Sequence, residues 1–338
     1  MSGPGGRVVW LGALLTGVLV AGCAHPPLAP QVESAEGRVL ARDARRVLYL
    51  PGPSDSLASL AETWLGNAGR AWEIASLNEI ERVTPGQALV LPIVPVNPRG
   101  VLPTAVQSVP ILAYHRIGGR ANRMAISPEA FEAQLRFLSQ GGWRVVSLAE
   151  FAEFLEGRLA LPAKSVVLSF DDGHVSAWHY AYPLLRKYGV PATFFVTTDV
   201  LGGGDFLRWE QVREMAASGL ADFQLHSRSH ANLILRLPGE SESAYRARID
   251  SEIRGPRDLL TRQLGRAPRF YAYPFGDANA LVVERVAAAG QVLGLTVNPG
   301  GNPFFAYPFM VRRTMVFGEH DLKAFEALLQ ASRSAVAR

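Results

Sequence analysis

The sequence contains one cysteine, Cys23, among 338 residues, so the chain cannot form an internal disulfide. It lacks the runs of lysine and arginine that bind nucleic acids, and its net charge is only +4. We therefore expect no nucleic-acid partner. The apolar run near the N-terminus, residues 8–21, is shorter than the roughly 20 residues that a membrane-spanning helix needs. The remaining composition, 48% hydrophobic and 19% charged, is that of a globular protein, and the length allows two domains.

The N-terminus has the pattern of an export signal. Arg7 precedes the apolar run, which ends in Val20-Ala21-Gly22-Cys23. These four residues resemble the bacterial lipobox, which implies that residues 1–22 are removed and that Cys23 is lipidated and anchors the exported protein to a membrane. No aspartate follows Cys23, which in a Gram-negative bacterium favours the outer membrane. A plain signal peptide or an uncleaved anchor remains the alternative.

Four segments follow the signal. Residues 23–46 show no sustained periodicity and are predicted to be a tether, and the proline-containing residues 94–108 are predicted to be a linker. Between them, residues 47–93 show a strand, two helices and a closing strand. Residues 109–338 form the larger, α/β domain.

The βααβ segment resembles a LysM module. The resemblance rests on Pro53-Ser54-Asp55-Ser56-Leu57, Leu65-Gly66-Asn67, Leu77-Asn78 and Pro85-Gly86-Gln87. It implies binding to glycans that contain N-acetylglucosamine, such as peptidoglycan or chitin. A LysM-shaped spacer without binding is the alternative.

The larger domain alternates short apolar strands with amphipathic helices. Predicted strands cover 109–115, 143–147, 165–170, 192–197, 222–226, 269–274, 292–296 and 311–317. Predicted helices cover 128–140, 148–157, 177–189, 208–218, 242–265, 278–289 and 320–335. This alternation predicts parallel βα units, and seven or eight of them favour a barrel with its active site at the C-terminal ends of the strands.

Polar residues of catalytic types stand at those strand ends. Asp171 and Asp172 end one strand and are followed by Gly173, while His226 and His230 follow another. One aspartate and two histidines make a three-ligand set that leaves a divalent ion open to water, and these donors suit Zn²⁺, with Co²⁺ or Ni²⁺ as alternatives. The other aspartate can then remove a proton from water.

Residues 109–320 resemble a polysaccharide deacetylase of the NodB-homology type, carbohydrate esterase family 4. The matching motifs are Ser169-Phe170-Asp171-Asp172-Gly173, His226-Ser227-Arg228-Ser229-His230 and Tyr273-Pro274-Phe275-Gly276. The resemblance implies a distorted (β/α)₇ barrel that removes N-acetyl groups from amino sugars. It assigns Asp171 as the base, Asp172, His226 and His230 as metal ligands, and the backbone N–H of Phe275 as an oxyanion donor.

Two departures from the family pattern bear on the remaining roles. Ala272 stands where the family usually has an arginine, and the usual C-terminal histidine motif is missing. The first strand instead ends in Tyr114-His115, which resembles the branch that includes poly-N-acetylglucosamine deacetylases and implies His115 as general acid. Arg313 is our candidate to replace the missing arginine behind Asp171. A structural histidine and an ordinary surface arginine are the alternatives.

We expect Tyr273, Pro274 and Trp209 to contact the substrate, a polymer that contains N-acetylglucosamine. Two other functions stay open at this point, a catalytically impaired glycan-binding lipoprotein and an O-deacetylase of acetylated sugars. The sequence does not indicate an oligomeric state, and we assume a monomer.

Overall fold

The computed structural model describes residues 36–119, 122–333 and 335–336. The predicted signal segment and the lipidation site Cys23 therefore lie outside the described residues. In the described part of the chain, no helix has both the length and the apolar character that crossing a bilayer requires.

A small unit of three strands and two helices comes first. Its elements are β1 (Arg38–Arg42), β2 (Arg46–Leu50), α1 (Leu57–Leu65), α2 (Ala71–Asn78) and β3 (Leu89–Pro92). The strands form an antiparallel sheet in the order β1-β2-β3. Ser56 and Ser59 form a capping box that begins α1, and Gly66 ends it with a left-handed φ of 72°. Apolar residues of β2, α1, α2 and β3 form a core of their own.

Two segment boundaries differ from the prediction. Strand β1 lies inside the predicted tether, 23–46, and pairs with β2. All of its side chains are exposed, so the strand is defined by its hydrogen bonds and not by burial. A strand without a buried face leaves no alternation of apolar and polar residues from which the sequence could predict it. Residues Ala105–Val106, inside the predicted linker, form a strand that pairs with Ala335–Val336 near the C-terminus.

The larger unit contains the remaining elements, numbered in chain order. Its strands are β4 (Ala105–Val106), β5 (Ser108–Tyr114), β6 (Arg116–Ile117), β7 (Ala125–Ile126), β8 (Arg144–Val145), β9 (Ser165–Phe170), β10 (Ala192–Val196), β11 (Ala221–Leu225), β12 (Phe270–Ala272), β13 (Leu293–Leu295), β14 (Gly301–Pro303), β15 (Thr314–Met315) and β16 (Ala335–Val336). Its helices are α3 (Pro128–Gln140), α4 (Leu148–Leu155), α5 (Tyr182–Tyr188), α6 (Trp209–Ala217), α7 (Glu242–Leu264), α8 (Ala280–Ala288) and α9 (Leu322–Arg333).

A curled parallel sheet organises this unit. Strands β13, β12, β11, β10, β9 and β5 are neighbours in that order and run parallel, and β15 continues the parallel pairing beyond β5. The short β8 pairs in parallel with β9, and β14 pairs with β5 in the antiparallel direction. Every residue of β5 and β9 is buried, as expected for parallel strands that are covered on both faces. The predicted alternation of strands and helices is thus present as a mixed α/β fold.

Residues 311–316 contact both edges of the curled sheet. Val311 donates to the Gly294 carbonyl at 2.9 Å, and Val316 donates to the Ala113 carbonyl at 3.0 Å. Because parallel strands end at one edge, the residues that follow β5, β9, β11 and β12 meet at the same end of the sheet.

Candidate active site

One cavity of about 590 Å³ opens at the C-terminal ends of the strands. Polar residues that follow four different strands line it, together with apolar side chains. The lining includes His115, Asp171, Asp172, His174, His226, His230, Tyr273, Phe275, Met124 and Phe317. The structure thus brings together all three predicted metal ligands, the predicted base and the predicted acid.

Asp172 lies against the two predicted histidine ligands. Its Oδ1 is 3.5 Å from Nε2 of His226 and 3.4 Å from Nε2 of His230. The three residues offer ligand atoms that all lie within 4.8 Å of one another. Among the described residues, no group donates a hydrogen bond to this buried oxygen. A buried carboxylate oxygen without a partner is costly, so the arrangement fits a cation at this point.

The ring of His226 is fixed by the backbone behind it. Its Nδ1 is 2.9 Å from the carbonyl oxygen of Ala272, and because a carbonyl only accepts, Nδ1 carries the proton. The unprotonated Nε2 then faces Asp172, as a metal-ligating histidine requires. Burial lowers the pKa of His226, although Asp171 and Asp172 act in the opposite direction. The neutral imidazole is therefore favoured at neutral pH.

Asp171 is enclosed by a different set of partners. Arg313 binds it with two hydrogen bonds, from Nη1 to Oδ1 at 2.6 Å and from Nη2 to Oδ2 at 2.8 Å. Both side chains are buried, and Arg313 also donates from Nε to the Thr296 carbonyl at 3.0 Å. Burial alone would raise the pKa of Asp171, but Arg313 and His226 outweigh it and hold that pKa below its ordinary value. Asp171 is therefore a carboxylate at neutral pH.

His174, which sequence reasoning left without a role, lies directly beside the ligand set. Its Nε2 is 3.2 Å from Oδ2 of Asp172, the oxygen that does not face His226 and His230. Its ring stacks on Phe206, with 5.0 Å between centroids. The contact orients the Asp172 carboxylate and contributes to lowering its pKa, against the opposing effect of burial.

Backbone strain is concentrated at this site. In the described part of the chain, six residues other than glycine have a positive φ. Four of them lie here, with φ values of 72°, 65°, 63° and 62°: Asp172, Ser227, His230 and Phe275. Left-handed backbone costs free energy for a residue with a Cβ and collects where function requires a particular geometry. This clustering has no signal in the sequence.

His115 follows β5 and lines the cavity, with its side chain only partly exposed. Burial lowers its pKa, and the carboxylates Asp171 and Asp172 partly oppose this effect. The structure thus places His115 in the same cavity as the predicted base and metal ligands, and its role as the acid stays a prediction.

The three predicted substrate contacts stay predictions, and the structure describes the surroundings of each. Tyr273 lines the cavity but is buried, and its hydroxyl donates to the Phe309 carbonyl at 3.0 Å. Pro274 is also buried, and Trp209 begins α6 and packs against the main core. The exposed aromatic of this motif is Phe275, whose ring contacts His230.

Sequence reasoning also missed Glu252, a buried carboxylate on α7. It accepts hydrogen bonds from the backbone of Arg228 and Ser229, the loop between the two histidine ligands. The two partners are more than 20 positions apart and no motif links them, so no sequence pattern could reveal the contact.

Comparison with known proteins agrees with this site. Residues 158–294 match the Polysaccharide deacetylase family. The matched stretch includes Asp171, Asp172, His226, His230 and Phe275, whereas His115 and Arg313 lie outside it.

Individual relatives match a longer part of the chain. The poly-beta-1,6-N-acetyl-D-glucosamine N-deacetylase of Staphylococcus aureus (strain MRSA252) is 26% identical over 216 residues, which are 58% of this chain and 74% of the relative. The deacetylase PplD of Streptococcus pyogenes, solved in complex with acetate, is 26% identical with a TM-score of 0.60, and the match covers 68% of this chain and 99% of that one. The structure of IcaB from Ammonifex degensii is 31% identical with a TM-score of 0.60, over 67% of this chain and 98% of that one. Since this last relative is matched over nearly its whole length, the chain belongs to the polysaccharide deacetylase family and is an enzyme of that family.

Proposed function

We propose that the protein is a metal-dependent hydrolase that removes N-acetyl groups from a polysaccharide containing N-acetylglucosamine. The observation that carries this proposal is Oδ1 of Asp172, which has no hydrogen-bond partner among the described residues and faces two imidazole nitrogens. Beside it lies a second carboxylate, Asp171, whose two oxygens both accept from Arg313. A relative that deacetylates poly-beta-1,6-N-acetyl-D-glucosamine supports the substrate class.

Asp172, His226 and His230 would hold the ion. One carboxylate and two neutral imidazoles suit Zn²⁺, with Co²⁺ or Ni²⁺ as alternatives. When bound, the ion supplies Lewis acidity toward the acetyl carbonyl and makes water more acidic.

Asp171 acts as the general base that takes the proton from the attacking water. Its Oδ2 lies 4.0 Å from Nε2 of His226, so the base and the ligand set border the same space. The paired guanidinium of Arg313 keeps the carboxylate ionised and holds both of its oxygens in place. The Asp171 carboxylate is thus held in a single orientation beside the cavity.

In its protonated form, His115 acts as the general acid that gives its proton to the leaving amine nitrogen. It enters the cavity from β5, whereas Asp171 enters from β9. The backbone N–H of Phe275 acts as a donor to the oxyanion, and this residue lines the cavity with a left-handed φ of 62°.

The domain is a distorted (β/α)₇ barrel in this proposal. The bonds of residues 311–316 to β13 and β5 support it, because they connect the two edges of the curled sheet.

The direct test is acetate release by the purified full-length protein from β-1,6- and β-1,4-linked N-acetylglucosamine oligomers, with and without added Zn²⁺ or Co²⁺. We expect metal-dependent release from at least one of these polymers. If acetate is released only from O-acetylated sugars, the protein is an O-deacetylase. If no acetylated sugar is turned over with any of the metals, the enzymatic part of the proposal is wrong.

The small unit is, in our proposal, a LysM module that holds the enzyme to its glycan. Its α1 and α2 lie between β2 and β3, which is the βααβ order, with β1 added at the edge. The Asp171→Asn variant should bind insoluble peptidoglycan and be released by N-acetylglucosamine oligomers. Absence of binding would reduce the unit to a spacer.

We also propose export and lipidation at Cys23, with the membrane anchor in the outer membrane if the source is Gram-negative. Cys23→Ala should then move the protein from the membrane fraction to the soluble fraction and abolish incorporation of labelled palmitate. An unchanged distribution would contradict the lipid anchor.

A further inference from the structure

The loop that connects the two histidine ligands has a strained backbone. It runs from His226 to His230, and both Ser227 and His230 have left-handed φ values, 65° and 63°. Such conformations persist only where the surroundings determine them fully. The distance between the two imidazoles therefore depends on whatever holds this loop.

Two carbonyl groups of the loop accept hydrogen bonds from the segment that follows β10. The carbonyl of Ser227 accepts from the N–H of Thr198 at 3.4 Å, and that of Arg228 accepts from the N–H of Asp199 at 2.9 Å. These bonds fix one side of the loop and leave its N–H groups to be satisfied from elsewhere.

Glu252 satisfies the N–H side. Its Oε2 accepts from the N–H of Arg228 at 3.0 Å and from the N–H of Ser229 at 2.9 Å. Its Oε1 accepts from the Ser229 hydroxyl at 2.7 Å. The carboxylate is 4% exposed and lies on α7, so a rigid helix presents it to the loop. An ionised carboxylate only accepts, which matches three donors that converge on it.

We infer that Glu252 is a positioning residue that sets the spacing of His226 and His230 by holding the loop between them. The inference rests on the proposed function, because it supposes that these histidines and Asp172 bind a divalent ion. Without the Glu252 oxygens, the N–H groups of Arg228 and Ser229 are left without acceptors inside the protein. The loop then leaves its left-handed conformation, and the ligand set loses its geometry before any metal is bound.

The chain offers a matched control in Glu240, which precedes α7 and is hydrogen-bonded to it. Glu240, also largely buried, accepts from Nε of Arg248 on α7 at 2.7 Å and from Nη2 of the same residue at 2.9 Å. This pair ties α7 to the segment that follows the ligand loop, yet it contacts no residue between His226 and His230. A general loosening of α7 would affect both glutamates, whereas a positioning role belongs to Glu252 alone.

The test compares Glu252→Met, Glu252→Gln and Glu240→Met in the full-length protein. Methionine fills similar space without an acceptor. Glutamine keeps one oxygen for the two N–H groups and an amide that can donate to the Ser229 hydroxyl. The readouts are the dissociation constant for Zn²⁺, from competition with a chromophoric chelator, and amide hydrogen exchange of residues 226–230 in the metal-free protein.

We expect Glu252→Met to raise the Zn²⁺ dissociation constant by on the order of 10-fold or more, as for outer partners of metal ligands. Exchange at Arg228 and Ser229 should accelerate while the core strands stay protected. Glu252→Gln should retain most of the affinity, and Glu240→Met should bind Zn²⁺ as the unmodified protein does.

Several results would overturn the inference. A folded Glu252→Met protein with unmodified Zn²⁺ affinity would do so, as would an equal loss in Glu240→Met. If Glu252→Met does not fold, Glu252→Asp decides, because its carboxylate is one methylene too short; unchanged affinity there counts against the inference. If the unmodified protein binds no Zn²⁺, Co²⁺ or Ni²⁺, the proposed function and this inference both fail. If the unmodified protein binds the ion and the Glu252 variants bind it equally well, only the inference fails.

Discussion

The two halves of the active site are built on adjacent aspartates, and they differ in whether the protein itself supplies partners for the carboxylate. The Asp171 half, formed by Asp171 and Arg313, is closed by two short hydrogen bonds between buried charges. The Asp172 half, formed by Asp172, His226 and His230, brings three ligand atoms together, and its carboxylate Oδ1 has no donor in the described part of the chain. The comparison teaches that the protein supplies the positive partner of Asp171 itself, through Arg313. The arrangement around Asp172 instead fits a cation that the protein would bind.

The two halves also differ in how their backbone is held. Asp171 continues the sheet, since its N–H donates to the Tyr114 carbonyl at 2.9 Å. Asp172 leaves the sheet with a φ of 72°, and His230 has a φ of 63°. The strain therefore lies on the ligand side, where geometry has to match an ion, and not on the side of the base.

Removal of the metal should have the largest effect of the changes considered, and it should affect the two halves differently. Treatment with a chelator should abolish acetate release, because the proposed reaction needs the ion that the Asp172 half would hold. Added Zn²⁺ should restore acetate release. The core, including the Asp171–Arg313 pair, should stay folded by circular dichroism throughout. Full activity in the metal-free protein would break the comparison.

Arg313→Met should damage the Asp171 half alone. Breaking a buried ion pair from one side leaves an uncompensated charge, so we expect a loss of about 3–5 kcal/mol in the free energy of unfolding. Urea denaturation measures this. The exposed neighbour Arg312, changed to methionine, is the matched control and should shift stability by no more than about 0.5 kcal/mol. Equal effects of the two variants would contradict the pairing.

His115→Ala should lower turnover of N-acetyl substrates on the order of 10²-fold or more, the usual contribution of a general acid. The loss should be much smaller with 4-nitrophenyl acetate, whose leaving group departs without a proton. Steady-state rates on both substrates give the ratio. An equal loss on both would show that His115 has another role.

Phe275→Ala should have the smallest effect on turnover. The backbone N–H is retained, and the exposed ring contributes only its contact with His230. We expect the rate of acetate release to stay close to that of the unmodified protein. A loss as large as that of His115→Ala would assign the ring, and not the N–H, to the reaction.

The sequence predicted the parts of this enzyme that depend on local patterns. Strand ends and spacing predicted Asp171, Asp172, His226 and His230, and the missing arginine at Ala272 led to Arg313, which the structure places on Asp171. The structure brings these four predicted ligand and base residues into one cavity at the strand ends, and their roles in the reaction stay predictions.

Other features depend on contacts that a single sequence does not encode locally. Strand β1 has no buried face, and Glu252 acts on backbone groups more than 20 positions away. Tyr273 is buried although it lines the cavity, and Trp209 packs against the main core, so their contact with a substrate stays a prediction.

The central claim is that adjacent aspartates have separate tasks, and Zn²⁺ titration of Asp171→Asn beside Asp172→Asn tests it most directly. We predict that Asp171→Asn binds one ion with nearly unmodified affinity while its turnover falls by about 10²- to 10⁴-fold. Asp172→Asn should lose most of its affinity for the ion. The account is contradicted if Asp172→Asn keeps the ion, or if Asp171→Asn loses it.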